Sequence, residues 1–389
     1  MKLAVLFVDD NENILQGLRR NLRPMHQEWD LHFAGGGAEA LKIMNAVRID
    51  VIVSDIRMPG MDGVALLKET KEIHGHTVRF VLSGQCEEDS LTTLLEVSHQ
   101  YMAKPLDTAA IISTIKPILD SKARLFDEDL KKFITSLSSL PSLPSLHEAI
   151  IAELQGPHPT TQGIENLLLR DISLIAKIFQ VMNSSYFGPS RDINTIAYVW
   201  ELLGMERIKT LILNNHIIAP LEKSLEDDPF VNDLWRLSLT TARMARLIAK
   251  SENLPQKACD KVWVAGLLHA VGAVVLYMYR RQKSTTLESA DLLDAGVPHD
   301  SYPLVGEFLA LLWGLPRDIR YAIMNHAAPD KADDTGDKGV LAITHAAWAF
   351  AHAKKYPDTQ GTVYLNDGFL RQENVFDKIE HWKAAVAGV

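Results

Sequence analysis

Apolar residues in roughly the first 120 positions fall into short runs separated by stretches with helical spacing. The runs lie at residues 3–8, 51–54, 78–82 and 101–103, with a further strand predicted at residues 31–34. Between them, apolar side chains recur every three or four positions, the period of an amphipathic helix. Strands alternating with helices predict an α/β fold with a doubly wound parallel sheet of five strands. In such a sheet, function gathers at the carboxyl ends of the strands.

The helical stripes also indicate where helices should end. Their clearest members are Ile14, Leu15, Leu18 and Leu22, which stop before Pro24, and Leu91, Leu94 and Leu95. A later helical stretch starts at Thr108 and contains Pro117. Proline lacks the amide hydrogen that an interior helical position donates, so we expect this helix to end or kink at Pro117.

After Leu119 the pattern changes, because no further strand is predicted and helical stripes continue to the C-terminal residues. The stripe from Leu125 to Leu137 predicts a connecting helix, and the sequence LPSLPSL at 140–146 then marks a boundary. The predicted domains are an α/β domain at residues 1–119, a helical connector at 120–140 and an all-α domain at 141–389.

The composition is typical of a soluble globular protein and argues against a nucleic-acid partner. Hydrophobic residues make up 47% of the 389 positions and charged residues 23%. The formal net charge is −9, with a pI near 5.9. Non-specific nucleic-acid binding rests on clustered Lys and Arg, and the sequence contains no basic run.

The cysteines and the N-terminal residues point to the cytoplasm. Cys86 and Cys259 are far apart and lie in no CxxC pair, so neither a disulfide framework nor a thiolate zinc site is predicted. The apolar run in MKLAVLFVDD is too short for a signal peptide. No apolar run approaches the roughly 20 residues of a membrane span. We expect a cytoplasmic protein without a membrane segment.

Reactive side chains follow the predicted strands. They are Asp9 and Asp10 after LAVLFV, Asp55 after VIVS, Ser83 after RFVL and Lys104 after YMA. Three carboxylates in one pocket repel each other unless a cation neutralises them, and hard oxygen ligands suit Mg²⁺. A metal-bound aspartate can attack a phosphoryl group while a lysine offsets the charge on its oxygens. Any one aspartate could instead cap a helix, but the coincidence at successive strand ends favours a site.

The motifs VDD, SDIRMPGMDG, LSG and AKP resemble those of the receiver domain of two-component response regulators, over residues 1–119. The resemblance implies that Asp55 accepts a phosphoryl group from a sensor histidine kinase. It also implies that Asp10, Asp55 and the backbone carbonyl of Arg57 coordinate Mg²⁺, with Asp9 assisting through water.

The same resemblance assigns four further positions. Lys104 and the following Pro105 would complete the phosphoryl site. Ser83 and Tyr101 match the hydroxyl and aromatic positions that report phosphorylation to the surface of the domain.

The second half resembles the HDOD family, a helical relative of the HD-type metal-dependent phosphohydrolases. Besides LPSLPSL, the matching stretches are RDISLIAKIFQVMNSSYFG at 170–188, AYVWELLGMERIKTLIL at 197–213, AGLLHAVGAVVLY at 265–277 and LALLWGLPRDIRYAIMNHAAP at 309–329. Together they cover most of residues 140–355.

The metal ligands of the active HD relatives are mostly missing. At their positions the chain has Leu237, His269 followed by Ala270, Tyr302, and His326 followed by Ala327. Metal catalysis needs the metal to be held while it activates water, so the resemblance implies an HDOD domain without a metal cofactor. His269 is then most simply a core histidine that donates to a backbone carbonyl.

We therefore predict a phosphorylation-controlled response regulator whose HDOD domain is non-catalytic and acts through contacts with a downstream protein that the sequence does not identify. The alternatives are a metal-dependent phosphohydrolase of cyclic dinucleotides and a nucleotide-sensing pseudoenzyme. The apolar stripe of the connector is compatible with a homodimer.

Overall fold

The computed structural model describes residues 2–83, 96–104, 107–125, 127–137, 141–142, 144–156, 160–168, 170–182, 219–220, 228–283, 301–355 and 365–389. The N-terminal part is a sheet of five parallel strands in the order β2-β1-β3-β4-β5. The strands are β1 (Leu3–Val8), β2 (Trp29–Ala34), β3 (Val51–Asp55), β4 (Val78–Ser83) and β5 (Gln100–Ala103). This confirms the predicted doubly wound sheet.

Helices flank the sheet. They are α1 (Glu12–Asn21), α2 (Gly37–Ala46), α3 (Gly63–Ile73) and α4 (Thr108–Arg124), with a 3₁₀ turn at Arg23–Gln27. Residues Ala4–Val8 of β1 are all buried, because parallel strands are covered on both faces and therefore read as continuous apolar runs. Asn11, Asp62 and Asp107 cap α1, α3 and α4 by accepting backbone amide hydrogens. The predicted stripe at Leu91, Leu94 and Leu95 lies outside the described residues.

The expectation that the last helix of this half ends at Pro117 is wrong. Helix α4 continues through Pro117 to Arg124, so the predicted domain boundary at residue 119 falls inside it. An interior proline costs about 3 kcal/mol. Four apolar side chains on the same helix are almost fully buried and offset that cost: Ile111, Ile115, Ile118 and Leu119.

The predicted connecting helix is present but shorter than expected. Asp127 caps a separate helix α5 (Glu128–Ser136), so the chain breaks helical structure after Arg124. The expectation of no further strand is also wrong, since β6 (Pro141–Ser142) pairs in parallel with β7 (Ala219–Pro220). Strands of two residues are too short to show a period in the sequence.

The rest of the described chain is helical. Its helices are α6 (Pro144–Gln155), α7 (Thr161–Leu168), α8 (Ile172–Met182), α9 (Pro229–Ser251), α10 (Gln256–Leu268), α11 (Val271–Lys283), α12 (Ser301–Leu312), α13 (Arg317–Asn325), α14 (Lys338–Lys355), α15 (Asp367–Gln372) and α16 (Ile379–Val386), with 3₁₀ turns at Pro329–Lys331 and Phe376–Lys378. The segment Gln256–Lys283 has the length and composition of a membrane span, although 89% of its most apolar window is buried inside the protein. Core helices of soluble proteins share both properties.

The two halves pack against each other through α4 and α12. Ser121 Oγ donates to Glu307 at 3.2 Å, and Arg124 pairs with the same carboxylate. Gln180 on α8 donates to the carbonyl of His99, just before β5, at 2.7 Å. The last helix of the first half is therefore itself part of the contact with the second.

Candidate functional site

An acidic cluster lies at the carboxyl edge of the sheet. Asp9 and Asp10 follow β1, and Asp55 ends β3; each offers one carboxylate oxygen, and these oxygens lie within 4.8 Å of one another. Val8 pairs with Ser54 across β1 and β3, which aligns the two strand ends. The sequence prediction that these three residues meet is consistent with this geometry.

Lys104 bridges two of the three carboxylates. Its Nζ lies 2.7 Å from Asp9 Oδ2 and 2.9 Å from Asp55 Oδ2. Burial alone would lower the pKa of Lys104, but its hydrogen bonds to Asp9 and Asp55 more than offset that and raise the pKa. The lysine is therefore held as an ammonium ion between the carboxylates at neutral pH.

The three aspartates differ in exposure and partners. Asp9 is only 1% exposed and accepts a hydrogen bond from the Asn11 amide at 2.9 Å. Asp55 is half-buried and accepts from its neighbour's amide, that of Ile56, at 2.8 Å, while Asp10 is exposed. Asp9 thus lies on the buried side of the site, and Asp10 lies on the side that is open to a reactant.

The loop after β3 packs closely against the strand end that carries Asp55. A Cβ on Gly63 would lie 1.9 Å from the backbone carbonyl oxygen of Asp55, so only glycine permits this approach of α3 to the strand end. The Gly63 amide also donates to the carbonyl of Ile56 at 2.8 Å. These contacts fix the backbone that carries Asp55.

The cluster suits a hard divalent cation. Three carboxylates and the Lys104 ammonium lie together in this partly buried pocket. Carboxylate oxygens are the ligands that Mg²⁺ prefers. Asp9, Asp10 and Asp55 would hold such an ion and could present it to phosphoryl oxygens.

The other predicted residues of this site are only partly described. Arg57 is exposed two residues beyond β3, and Tyr101 is buried on β5. Ser83 ends β4 opposite Ala103 of β5. The Ser83 side chain and Pro105 lie outside the described residues.

The predicted degenerate site in the second half is a buried histidine cluster. His269, at the end of α10, is 1% exposed, and its Nδ1 donates to the carbonyl of Gly266 at 2.7 Å. The rings of His269 and His326 meet edge to face with centroids 5.0 Å apart. The structure therefore brings His269 and His326 together. Ala270, which lies between the end of α10 and the start of α11, is buried, and so is Leu237 on α9.

Hydrogen bonds occupy the Nε2 lone pairs of His326 and His345, whereas His269 Nε2 is buried without a hydrogen-bond partner among the described residues. His326 Nδ1 donates to the carbonyl of Ile323 at 2.8 Å, so its Nε2 accepts from the Tyr302 hydroxyl at 3.0 Å. His345 Nδ1 donates to the His326 carbonyl at 2.7 Å, and its Nε2 accepts from the Asn366 amide at 2.8 Å. Sequence reasoning placed Tyr302 at a lost ligand position, but its bond to His326 becomes visible only in three dimensions.

Burial keeps these histidines neutral. It lowers the pKa of His269 to about 4 and that of His326 well below its ordinary value. Among the described residues, the acidic cluster of the first half is the one group of three or more carboxylate, imidazole or thiolate side chains close enough to hold a metal. The prediction that His269 is a core histidine bonded to a backbone carbonyl agrees with its contacts.

The fold and the acidic edge define the first half as a receiver domain. Residues 5–116 match the response regulator receiver domain family, and residues 140–329 match the HDOD domain family. The chain therefore belongs to the response regulators in which a receiver domain precedes an HDOD domain.

Two curated relatives each match about a third of this chain. The transcriptional regulatory protein GlrR of Escherichia coli K12 is 28% identical over 137 residues, 35% of this chain and 30% of GlrR. The transcriptional regulatory protein PrrA of Mycobacterium leprae is 34% identical over 116 residues, 30% of this chain and 49% of PrrA. The chain thus spans less than half the length of either relative.

Solved structures cover different shares of the chain. The signal receiver domain of an HD domain-containing protein from Pseudomonas fluorescens Pf-5 is 26% identical and covers 32% of this chain and 100% of its own, with a TM-score of 0.31. The MmoQ response regulator from Methylococcus capsulatus is 19% identical and covers 64% of this chain and 98% of its own, with a TM-score of 0.46.

Proposed function

We propose that the protein is a phosphorylation-controlled response regulator in which Asp55 accepts a phosphoryl group and the HDOD domain passes the signal on through protein contacts. The observation that carries the proposal is the geometry at Asp55, whose carboxylate lies 2.9 Å from Lys104 and within 4.8 Å of Asp9 and Asp10. A sensor histidine kinase is the expected donor, as for receiver domains in general.

The proposed reaction is a phosphoryl transfer to a carboxylate. A carboxylate oxygen of Asp55 forms a bond to phosphorus as the P–N bond of a phosphohistidine breaks, and the imidazole leaves with the electron pair. Lys104 offsets the charge on the phosphoryl oxygens. Mg²⁺ would add to that charge compensation and would be held by Asp9, Asp10, Asp55 and the Arg57 carbonyl.

The signal has a short physical path to the second half. We assign Ser83, Tyr101 and Pro105 to the response around the phosphoryl group, by their match to the family positions. Helix α4 follows β5 and contacts α12 directly through Arg124 and Glu307. Complete switching between two arrangements, from 1:99 to 99:1, requires about 5.5 kcal/mol, so we expect a partial shift at this interface.

We further propose that the HDOD domain is non-catalytic. The observation that supports this proposal is that Nε2 of His326 accepts a hydrogen bond from Tyr302 and Nε2 of His345 accepts one from Asn366. A metal ion held by His326 or His345 would have to displace these buried hydrogen bonds. The cytoplasmic location, the homodimer and the protein target remain predictions.

The phosphorylation proposal is tested by intact mass. Wild-type protein incubated with acetyl phosphate and Mg²⁺ should gain a single phosphoryl adduct on the peptide that contains Asp55. Replacing Mg²⁺ by a chelator should remove most of the adduct, because the carboxylate cluster is then left without its cation. An adduct that forms equally fast in the chelator, or on a peptide of the helical half, contradicts the proposal.

A separate measurement tests the HDOD domain. We expect the purified full chain to hold no stoichiometric zinc, iron or manganese by elemental analysis and to leave cyclic dinucleotides intact. The matched variant is His269→Asn, which removes one imidazole and keeps a donor for the Gly266 carbonyl. Stoichiometric metal together with turnover that His269→Asn abolishes would show the domain to be an enzyme.

A further inference from the structure

A cavity of about 470 Å³ opens on the helical half. Helix α9 forms one wall with Arg243, Arg246 and Lys250, and Arg170, just after α7, also lines it. The volume falls within the range of about 300–1,000 Å³ that is usual for small-molecule sites. None of its lining residues belongs to the acidic cluster or to the histidine cluster.

The walls are cationic. Arg243, Arg246 and Lys250 are spaced at i, i+3 and i+7, so they share one face of α9. Arg246 lies 3.4 Å from Asp260. Within the described residues, Arg170, Arg243 and Lys250 have no carboxylate within 4.0 Å, although the chain as a whole carries a net charge of −9. Four cationic side chains thus line one cavity, and among the described residues only Arg246 of these four has a carboxylate partner.

The remainder of the cavity is apolar. Leu239 and Leu247 extend along the same face of α9, and Trp263 of α10 lines the cavity while it is 7% exposed. A purely electrostatic patch on a helix would not enclose an indole and two leucines. The combination suits a ligand with an anionic part and a flat or apolar part.

We propose that this cavity binds a small organic phosphate of the nucleotide class with at least two negative charges. Arg170 and Arg243 would bind phosphate oxygens through paired N–H donors, which match that geometry, and Lys250 would add a point charge. The base would lie against Trp263 and the leucines. The HDOD domain would then be a ligand sensor in its own right, and binding at this cavity does not depend on phosphorylation of Asp55.

The test is calorimetric titration of the full chain with ADP, inorganic pyrophosphate and adenosine. ADP should bind most tightly, pyrophosphate more weakly, and adenosine not measurably, because the phosphates supply the charge and the base supplies the apolar contact. The double variant R243Q/K250Q should weaken ADP binding at least tenfold, and Arg170→Gln provides a second variant outside α9. All three side chains are exposed, so these substitutions should leave the helical circular dichroism unchanged.

Arg236→Gln is the matched control, since Arg236 is an exposed arginine of α9 that does not line the cavity. It should bind ADP like wild type, and so should Asp55→Asn. Absence of ADP binding at millimolar concentration, or equal binding by R243Q/K250Q and wild type, overturns the proposal. A single-stranded ten-nucleotide DNA that binds more tightly than ADP and is lost in R243Q/K250Q would also overturn it, in favour of a nucleic-acid surface.

Discussion

The Asp55→Asn protein is expected to gain no phosphoryl adduct from acetyl phosphate and Mg²⁺ under conditions in which wild type is modified. The amide has no anionic oxygen to attack phosphorus, yet it keeps the size of the side chain and can still accept from the Ile56 amide. The fold should therefore survive while the adduct falls below detection. Intact mass spectrometry measures the outcome, and peptide mapping shows whether Asp9 or Asp10 is modified instead.

Asp62→Asn is the matched control for this loss. Asp62 is a further aspartate in the loop after β3, where it caps α3 by accepting from the Ala65 amide at 2.8 Å. Asparagine caps helices about as well as aspartate, so this variant loses one carboxylate without losing the cap. It should be phosphorylated like wild type. An adduct on Asp55→Asn equal to that on wild type would remove Asp55 from its assigned role.

The sheet was predictable because its strands are buried on both faces. A run such as LAVLFV has no helical period and no polar interruption, and the carboxyl ends of parallel strands share one edge. The positions of Asp9, Asp10, Asp55 and Lys104 followed from that topology. Strand β2 begins at Trp29, two residues before the predicted start, because Trp29 and Asp30 pair with β1 although the sequence there is mixed in polarity.

The contacts that the sequence did not reveal are long-range. Nothing near Pro117 indicates that buried isoleucines on both sides of it keep α4 helical. Tyr302 and His326 are 24 residues apart, and their hydrogen bond depends on how α12 packs on α13. The cationic cavity was equally hidden, since Arg170 and the α9 residues form no basic run in the sequence.

The buried histidine cluster should make the helical half sensitive to acid. Burial lowers the pKa of His269 from 6.5 to about 4, so below pH 6.5 the unfolded chain takes up a proton that the folded chain does not. His269 therefore leaves the free energy of unfolding at its full value above pH 6.5 and lowers it progressively as the pH falls towards 4. For His269 alone the loss approaches about 3 kcal/mol. His326 and His345, whose pKa values burial also lowers, act in the same direction.

Denaturant unfolding between pH 7.5 and 4.5 measures this dependence, and tryptophan fluorescence reports mainly on the helical half, which holds six of the seven tryptophans. His269→Asn cannot take up the proton in either state, so its free energy of unfolding should fall less than that of wild type as the pH is lowered. His381→Asn makes the same substitution at an exposed histidine of α16 and controls for the substitution itself. The contacts of His269 with Gly266 and His326 indicate that its ring is sealed in the core. If His269→Asn and wild type lose stability in parallel between pH 6.5 and 4.5, His269 is protonated in the folded protein, and that conclusion is wrong.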